Sequence, residues 1–288
     1  MSEKPRILIQ LDSDPHPSVF DGVVAVDAGV DFLFRHGGVR PEDVRNLVYG
    51  AIFTRGPEDL RRTAVYVGGS DADVGQQLFA EVRKTFFGPM RVSVMFDANG
   101  ANTTAAAAVL SLEKHLDLRG VEVLSLGATG PVGRRVARLL ARRGARVRVS
   151  ALRQDLAEAV CKEIQGRQPD AVVTPWVTAT AEQTFQAAEG AAAIIASGPI
   201  GVQLLSTRIR QALPELKAAI DLNAVKPHGI EGIDPMDRAT VRDGVTCYGA
   251  IGVGGLKMKI HKAAIRRLFE SNDQALDAEE IYDIGNRI

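Results

Sequence analysis

The strongest chemical signal in the chain is three glycines at fixed spacing, in the run Gly127-Ala128-Thr129-Gly130-Pro131-Val132-Gly133. The run follows an apolar stretch, residues 121–126, and opens a helical pattern, so the spacing G-x-x-G-x-x-G sits at a strand-to-helix turn. A turn of this kind holds phosphate. Gly127 permits the sharp bend, Gly130 lets the backbone approach a diphosphate, and Gly133 lets helix and strand pack closely. Thr129, Pro131 and Val132 complete the loop, and the N–H groups at the helix start supply donors and partial positive charge. The loop therefore predicts a dinucleotide site, as a variant of the G-x-G-x-x-G fingerprint. A second loop, Ser197-Gly198-Pro199-Ile200-Gly201, follows the apolar run 193–196 at the carboxyl end of another strand, where open α/β sheets take ligands. Ser197, Gly198 and Ile200 are expected along the nicotinamide half.

The cofactor is selected further on. An NAD site usually has an acid about 20 residues past the first glycine, to bind the ribose 2′-hydroxyl. Here the stretch reads Arg148-Val149-Ser150-Ala151-Leu152-Arg153, with no acid before Asp155. Ser150 and Arg153 suit a 2′-phosphate, so NADP is expected, with NAD also open to use. A third glycine-rich stretch, residues 249–257, is superficially like a nucleoside-triphosphate loop, but Gly255 stands where the lysine belongs and no Lys-Ser or Lys-Thr pair follows. That reading is rejected.

The elements that must position these loops are short β-branched runs alternating with helical stretches, which predicts βαβ units and parallel sheets. The alternation covers residues 6–11, 41–50, 63–68, 74–86 and 91–97, then an Ala-rich helix over 102–116 capped near Asn102 or Thr103. A turn at 117–120 opens a second series, with strands at 121–126, 146–150, 171–174, 192–197 and 218–223 and helices at 132–143, 155–165, 179–189 and 203–212. In the first of these helices Val132, Val136, Leu139 and Leu140 share one face, with the arginines elsewhere. A last helix, 256–269, follows the glycine-rich loop and leads into an acidic tail. The expected fold is α/β with two domains, 1–116 and 117–269, the second of Rossmann type, and the tail of about 270–288 returning to the first.

Composition agrees with this. At 288 residues the chain has roughly twice the ~150 of one domain. With 45% hydrophobic and 24% charged residues it can bury a full core. Lys plus Arg equals Asp plus Glu at 35 each, so no bulk field attracts nucleic acid or an anionic membrane. Cys161 and Cys247 make neither a disulfide framework nor a multi-cysteine zinc site, and the five histidines show no metal spacing, so no metal is expected. The first apolar run, residues 7–11, is too short and too closely followed by Asp12 and Asp14 for a secretory segment. No apolar stretch approaches the ~18–20 residues of a membrane span, and a soluble cytoplasmic protein is expected.

Several longer blocks carry a family resemblance: Pro17-Ser18-Val19-Phe20-Asp21, Thr54-Arg55-Gly56, Phe86-Phe87-Gly88-Pro89, Asn99-Gly100-Ala101-Asn102-Thr103-Thr104-Ala105, residues 127–133, residues 249–259 and Asp277-Ala278-Glu279-Glu280-Ile281-Tyr282. Together they resemble the NAD(P)-dependent methylene-tetrahydromethanopterin dehydrogenases of methylotrophic bacteria, over nearly the whole chain. The resemblance implies two α/β domains around a cleft, a homo-oligomer (trimer or hexamer), and oxidation of the methylene bridge of a reduced pterin to a methenyl cation, with NAD(P)+ accepting hydride. Both flanking nitrogens stabilise that cation, so no general base is required and orientation becomes the protein's task.

Site residues follow from the resemblance. Lys257, beside Gly254 and Gly255 at the expected start of the last helix, is the candidate at the reacting centre, with Gly254 nearby at the cofactor. Asp14 and Asp21 are candidate acceptors for pterin N–H groups, with Phe20 stacking on the ring and Asp97 and Asn99 in an equivalent place. Asn102 and Thr103 are expected to bind the pterin, and Thr104 the nicotinamide amide. Two departures from the family pattern, Ala151 for a glycine and Leu152-Arg153 for an Arg-Lys pair, leave one cation for the 2′-phosphate. Two other readings stay open: a methylene-tetrahydrofolate dehydrogenase, and a non-catalytic NADP-binding sensor, which need not keep a polar pterin site.

Overall fold

The computed structural model describes residues 3–288, which divide by packing into two units, residues 3–103 with 258–288, and residues 104–257. In the first unit the order is β1 (Ile7–Asp12), α1 (Val19–Asp27), β2 (Phe32–His36), α2 (Pro41–Ile52), β3 (Thr63–Gly68), α3 (Ala72–Thr85) and β4 (Ser93–Phe96), then α4 (Ala101–Glu113), in which the chain changes unit. The second unit holds β5 (Glu122–Leu126), α5 (Pro131–Arg142), β6 (Arg146–Ala151), α6 (Gln154–Arg167), β7 (Val173–Val177), α7 (Ala181–Ala188), β8 (Ala193–Ala196), α8 (Thr207–Gln211), β9 (Ala218–Asp221), β10 (Arg238–Arg242) and β11 (Val245–Tyr248). Helix α9 (Ala250–Arg267) returns the chain to the first unit, where β12 (Ala275–Leu276) and α10 (Ala278–Gly285) end it.

The first sheet is wholly parallel, in the order β12-β4-β3-β1-β2. β3 and β4 are buried along their whole length, as expected for parallel strands covered on both faces. A core of Leu11, Val44, Val48, Ile52, Leu60, Leu78 and Phe96 fills the space between this sheet and α2 and α3. The strand order turns at β1 and β3, so a crevice opens at their carboxyl ends, at Asp12 and Gly68.

The second sheet runs β10-β11-β9-β8-β5-β6-β7. Six of its strands are parallel, and taken in chain order they give the 3-2-1-4-5-6 arrangement of a Rossmann sheet. β10 adds an antiparallel edge. β7 lies at the other edge, which is why Pro175 is tolerated inside it. The switch point falls between β5 and β8, the strands that carry the two glycine loops.

Several sequence expectations are corrected. The stretch 249–255 is not a loop: α9 begins at Ala250, so Lys257 stands within the helix and not at its start. Gly249 and Gly252 serve close packing there, since an added Cβ would lie 2.1 Å from Asp234 O and 1.8 Å from Asp237 O. The helix expected over 203–212 shrinks to α8, because Leu204 and Leu205 donate to Gly229 O and Leu205 forms an extended bridge with Ile230. Arg135 and Arg138, expected outside the apolar face of α5, are buried as well, and Arg135 donates to Pro131 O. α1, β2, β12, α10 and the β10–β11 hairpin lie outside the elements expected from the sequence.

The packing of α9 makes a direct test of this correction. Gly252→Ala is expected to destabilise the apo protein by about 2–3 kcal/mol, through the clash with backbone. Gly254→Ala, where nothing lies within 4 Å of the new Cβ, should stabilise by about 0.5–1 kcal/mol in a helix interior. Denaturant unfolding of both variants decides the matter, because a true loop would not give this opposed pair.

Candidate active site

The nucleotide half is built on β5. Gly127 has φ +68°, and a Cβ on it would lie 2.6 Å from Gly198 Cα, so the two loops meet backbone to backbone. Gly133 likewise has no room: its Cβ would fall 2.7 Å from both Ala128 Cα and Ser197 Oγ. Gly130 differs, since nothing lies closer than Ser197 O at 3.9 Å. It is the N-cap of α5 with no side chain closing the helix, and Pro131 follows at the first turn. The space at Gly130 and the helix terminus behind it fit a diphosphate. A cavity of about 370 Å³ opens here, walled by residues that include Gly127, Thr129, Pro131, Leu152, Thr178 and Ser197.

Ser150 is fully buried beneath this loop. Its Oγ accepts from Gly127 N–H at 3.3 Å and from the Thr178 hydroxyl at 3.2 Å, while its carbonyl accepts from Ala128 N–H at 3.0 Å. The side chain thus braces the loop and is not presented to a 2′-phosphate. Ser197 Oγ donates to Leu126 O, tying the second loop to β5. Arg153 is exposed and forms a two-bond pair with Asp155. Ile200 is strongly exposed, and among the described residues Ile200, Arg153, Thr104, Gly254 and Lys257 do not wall the cavity.

The other candidates gather at the carboxyl end of the first sheet. Asp12, fully buried, accepts from Gln10 Nε2 at 3.2 Å and from the N–H groups of Asp14 and Ser18. Asp97, also buried, accepts from the Thr103 N–H at 2.9 Å and the Thr103 hydroxyl at 2.6 Å, which fixes the start of α4. Asn102 donates to Phe96 O and to Asp277, 3.0 Å away, joining α4 to the chain's last elements. Asn102 and Thr103 therefore hold the scaffold through these bonds. Asp14 accepts from the backbone and hydroxyl of Ser70, and Asn99, at φ 55°, donates to Gly69 O.

Asp21 and Phe20 lie on the first turns of α1, capped by Ser18. Burial raises the Asp21 carboxyl above its ordinary range, His261 opposes this, and Asp97 adds to it. The Tyr66 hydroxyl donates to Asp97 O at 3.5 Å, and burial with the nearby Asp21 and Asp97 carboxylates pushes its pKa well up. His261 stacks on Tyr66 with centroids 5.7 Å apart at 17°, and lies 6.4 Å from Phe20. Sequence reasoning missed Tyr66, His261 and Thr178. Tyr66 and His261 read as ordinary strand and helix residues, and only the return of the chain through α9 to the first unit brings His261 to Tyr66 and Asp21. Among the described residues no cluster of His, Cys, Asp or Glu is built to hold a metal, and no helix is long and apolar enough to cross a membrane.

A sheet with six parallel strands in Rossmann order and a glycine loop at its switch point, in a chain with a second parallel α/β unit, defines a Rossmann-type α/β fold class. Shikimate 5-dehydrogenase from Listeria monocytogenes, in complex with shikimate and NAD, shares the fold at a TM-score of 0.55 and 14% identity, over 97% of this chain and 96% of its own. The 5-ketofructose reductase of a Gluconobacter strain does so at 0.52 and 14%, over 99% of both chains. A family profile described as methylene-tetrahydromethanopterin dehydrogenase, N-terminal, matches residues 19–99. Two proteins of Methylorubrum extorquens are similar almost end to end. The bifunctional protein MdtA is 41% identical, over 98% of this chain and 99% of its own. The NAD(P)-dependent methylenetetrahydromethanopterin dehydrogenase is 30% identical, over 98% of each. The chain belongs to the methylene-tetrahydromethanopterin dehydrogenase family.

The raised pKa of Asp21 has a consequence for stability. As pH rises from the ordinary carboxylate range to the higher folded value, the unfolded chain loses its proton first, so folding stability falls. Asp21→Asn is therefore expected to be more stable than the parent at pH 7, with the gap closing below about pH 4. Denaturant unfolding at both pH values checks this; a variant less stable at pH 7 would contradict it.

Proposed function

We propose that this protein oxidises the methylene bridge of methylene-tetrahydromethanopterin to the methenyl cation, with NADP+ preferred over NAD+ as acceptor. The observation that carries the reading is end-to-end similarity to family members, joined to a Rossmann loop whose open position, Gly130, lies at a helix start. When bound, the nicotinamide ring supplies the hydride acceptor. The loop backbone at residues 127–133 binds the diphosphate, Ser150 holds that loop in shape from below, and Arg153 meets the 2′-phosphate.

In the first unit Asp21 accepts from pterin N–H groups and Phe20 lies against the ring, while Asp97, Asn102 and Thr103 fix the elements around them. Lys257, on α9, orients the pterin near the reacting carbon and adjusts charge there. No base is needed, because the two ring nitrogens carry the positive charge left when hydride departs. The proposal includes a cytoplasmic homo-oligomer. Val19, Val23 and Val26 form an exposed apolar stripe on α1, and Phe32 and Phe34 are exposed on the edge strand β2, surface that a second copy would cover.

Steady-state rates with methylene-tetrahydromethanopterin and methylene-tetrahydrofolate, each with NADP+ and NAD+, test the substrate assignment. The methanopterin derivative with NADP+ is expected to give the highest kcat/KM. Lys257→Ala should lower that value by roughly 10- to 1000-fold while NADP+ affinity changes little. Parent rates in the variant, or a selective loss of NADP+ binding, would remove Lys257 from the reacting centre.

A further inference from the structure

We propose that Asp155 sets the choice between NADP+ and NAD+ by competing with the 2′-phosphate for the guanidinium of Arg153. The inference rests on reading the second unit as an NAD(P) site and adds an opposing residue to it. β6 ends at Ala151, and the residues that follow the second Rossmann strand are those that meet the adenosine ribose. Arg153 is the N-cap of α6, with no side-chain capping bond of its own, and Asp155 is in the first turn. Arg153 Nε donates to Asp155 Oδ1 at 3.0 Å and its terminal nitrogen to Oδ2 at 2.5 Å, a fork-to-fork pair of the geometry a phosphate would otherwise take.

The pair sits in solvent, with the side chains 70% and 59% exposed, so it holds Arg153 weakly enough for a dianion to displace it. Displacement leaves the Asp155 carboxylate beside the phosphate, where like charge opposes binding. With NAD+ neither cost arises: the pair stays closed, and the carboxylate is an acceptor within the segment that meets the 2′-hydroxyl. Two further cations near the loop are engaged with its backbone, Arg134 donating to Thr129 O and Arg135 to Pro131 O. The Arg153–Asp155 pair therefore works as a moderator, keeping NADP+ from excluding NAD+.

The test is titration of the full-length protein with NADP+ and NAD+, and with adenosine 2′,5′-bisphosphate against 5′-AMP, which isolates the ribose end. Asp155→Asn is expected to raise the ratio of NADP+ to NAD+ affinity by about twofold to fivefold, the scale of one exposed charge pair. The same shift should appear with the adenosine pair, and the gain should shrink in an Arg153→Ala background. Thermal unfolding runs alongside, because an acid in the first turn also favours the helix start. An unchanged ratio, or equal shifts for both cofactors with a lowered melting temperature, would overturn the inference and leave Asp155 a helix residue. A parent protein that binds neither cofactor would instead overturn the functional reading beneath it.

Discussion

The second unit depends on one constraint: at the fork between β5 and β8, two loops must meet with no side chain between them. Gly127 and Gly198 touch through backbone, and Gly133 brings α5 against the same point. Every other feature of the nucleotide half follows from that closeness. The first turn of α5 is carried to the mouth of the crevice, Gly130 is left open, and Ser150 and Thr178 form the polar floor that holds the loop from below. A Cβ at Gly127 or Gly133 would push the loops apart and move the helix terminus from the place where its N–H groups matter.

The first unit solves a different problem, that of keeping acids at the end of a parallel sheet where burial is costly. Asp12 and Asp97 are sustained by backbone and hydroxyl donors, an arrangement in which each bond offsets desolvation. Asp21 has less support, and its carboxyl is shifted upward. Beside Tyr66 and His261 the burial of this acid costs stability at neutral pH, a cost the fold carries there.

How much was legible in the sequence depends on the range of each interaction. Residues 127–133 were readable because a strand, a turn and a helix are adjacent in the chain and each has its own signature. The family blocks pointed to the family, since they span long runs of residues. The stretch 249–255 misled because glycine composition looks the same in a loop and in a helix that grazes a backbone; only Asp234 and Asp237, brought against it by the fold, tell the two apart. Ser150 misled for the same reason: its position after the phosphate loop was right, but whether Oγ faces a ligand or Gly127 N–H is set by packing. Tyr66 and His261 lie far apart in sequence and meet only because the chain returns through α9 to the first unit.

The central claim is that the methylene hydrogen passes directly, as hydride, to the nicotinamide. Supplying methylene-tetrahydromethanopterin deuterated at the bridge carbon with NADP+, and examining the reduced cofactor, tests it most directly. Direct transfer predicts deuterium at the nicotinamide C4, with methenyl product and reduced cofactor appearing in equal amounts. Tight NADP+ binding with no deuterium in the cofactor would contradict it, and would leave a nucleotide-binding protein that does not carry out this chemistry.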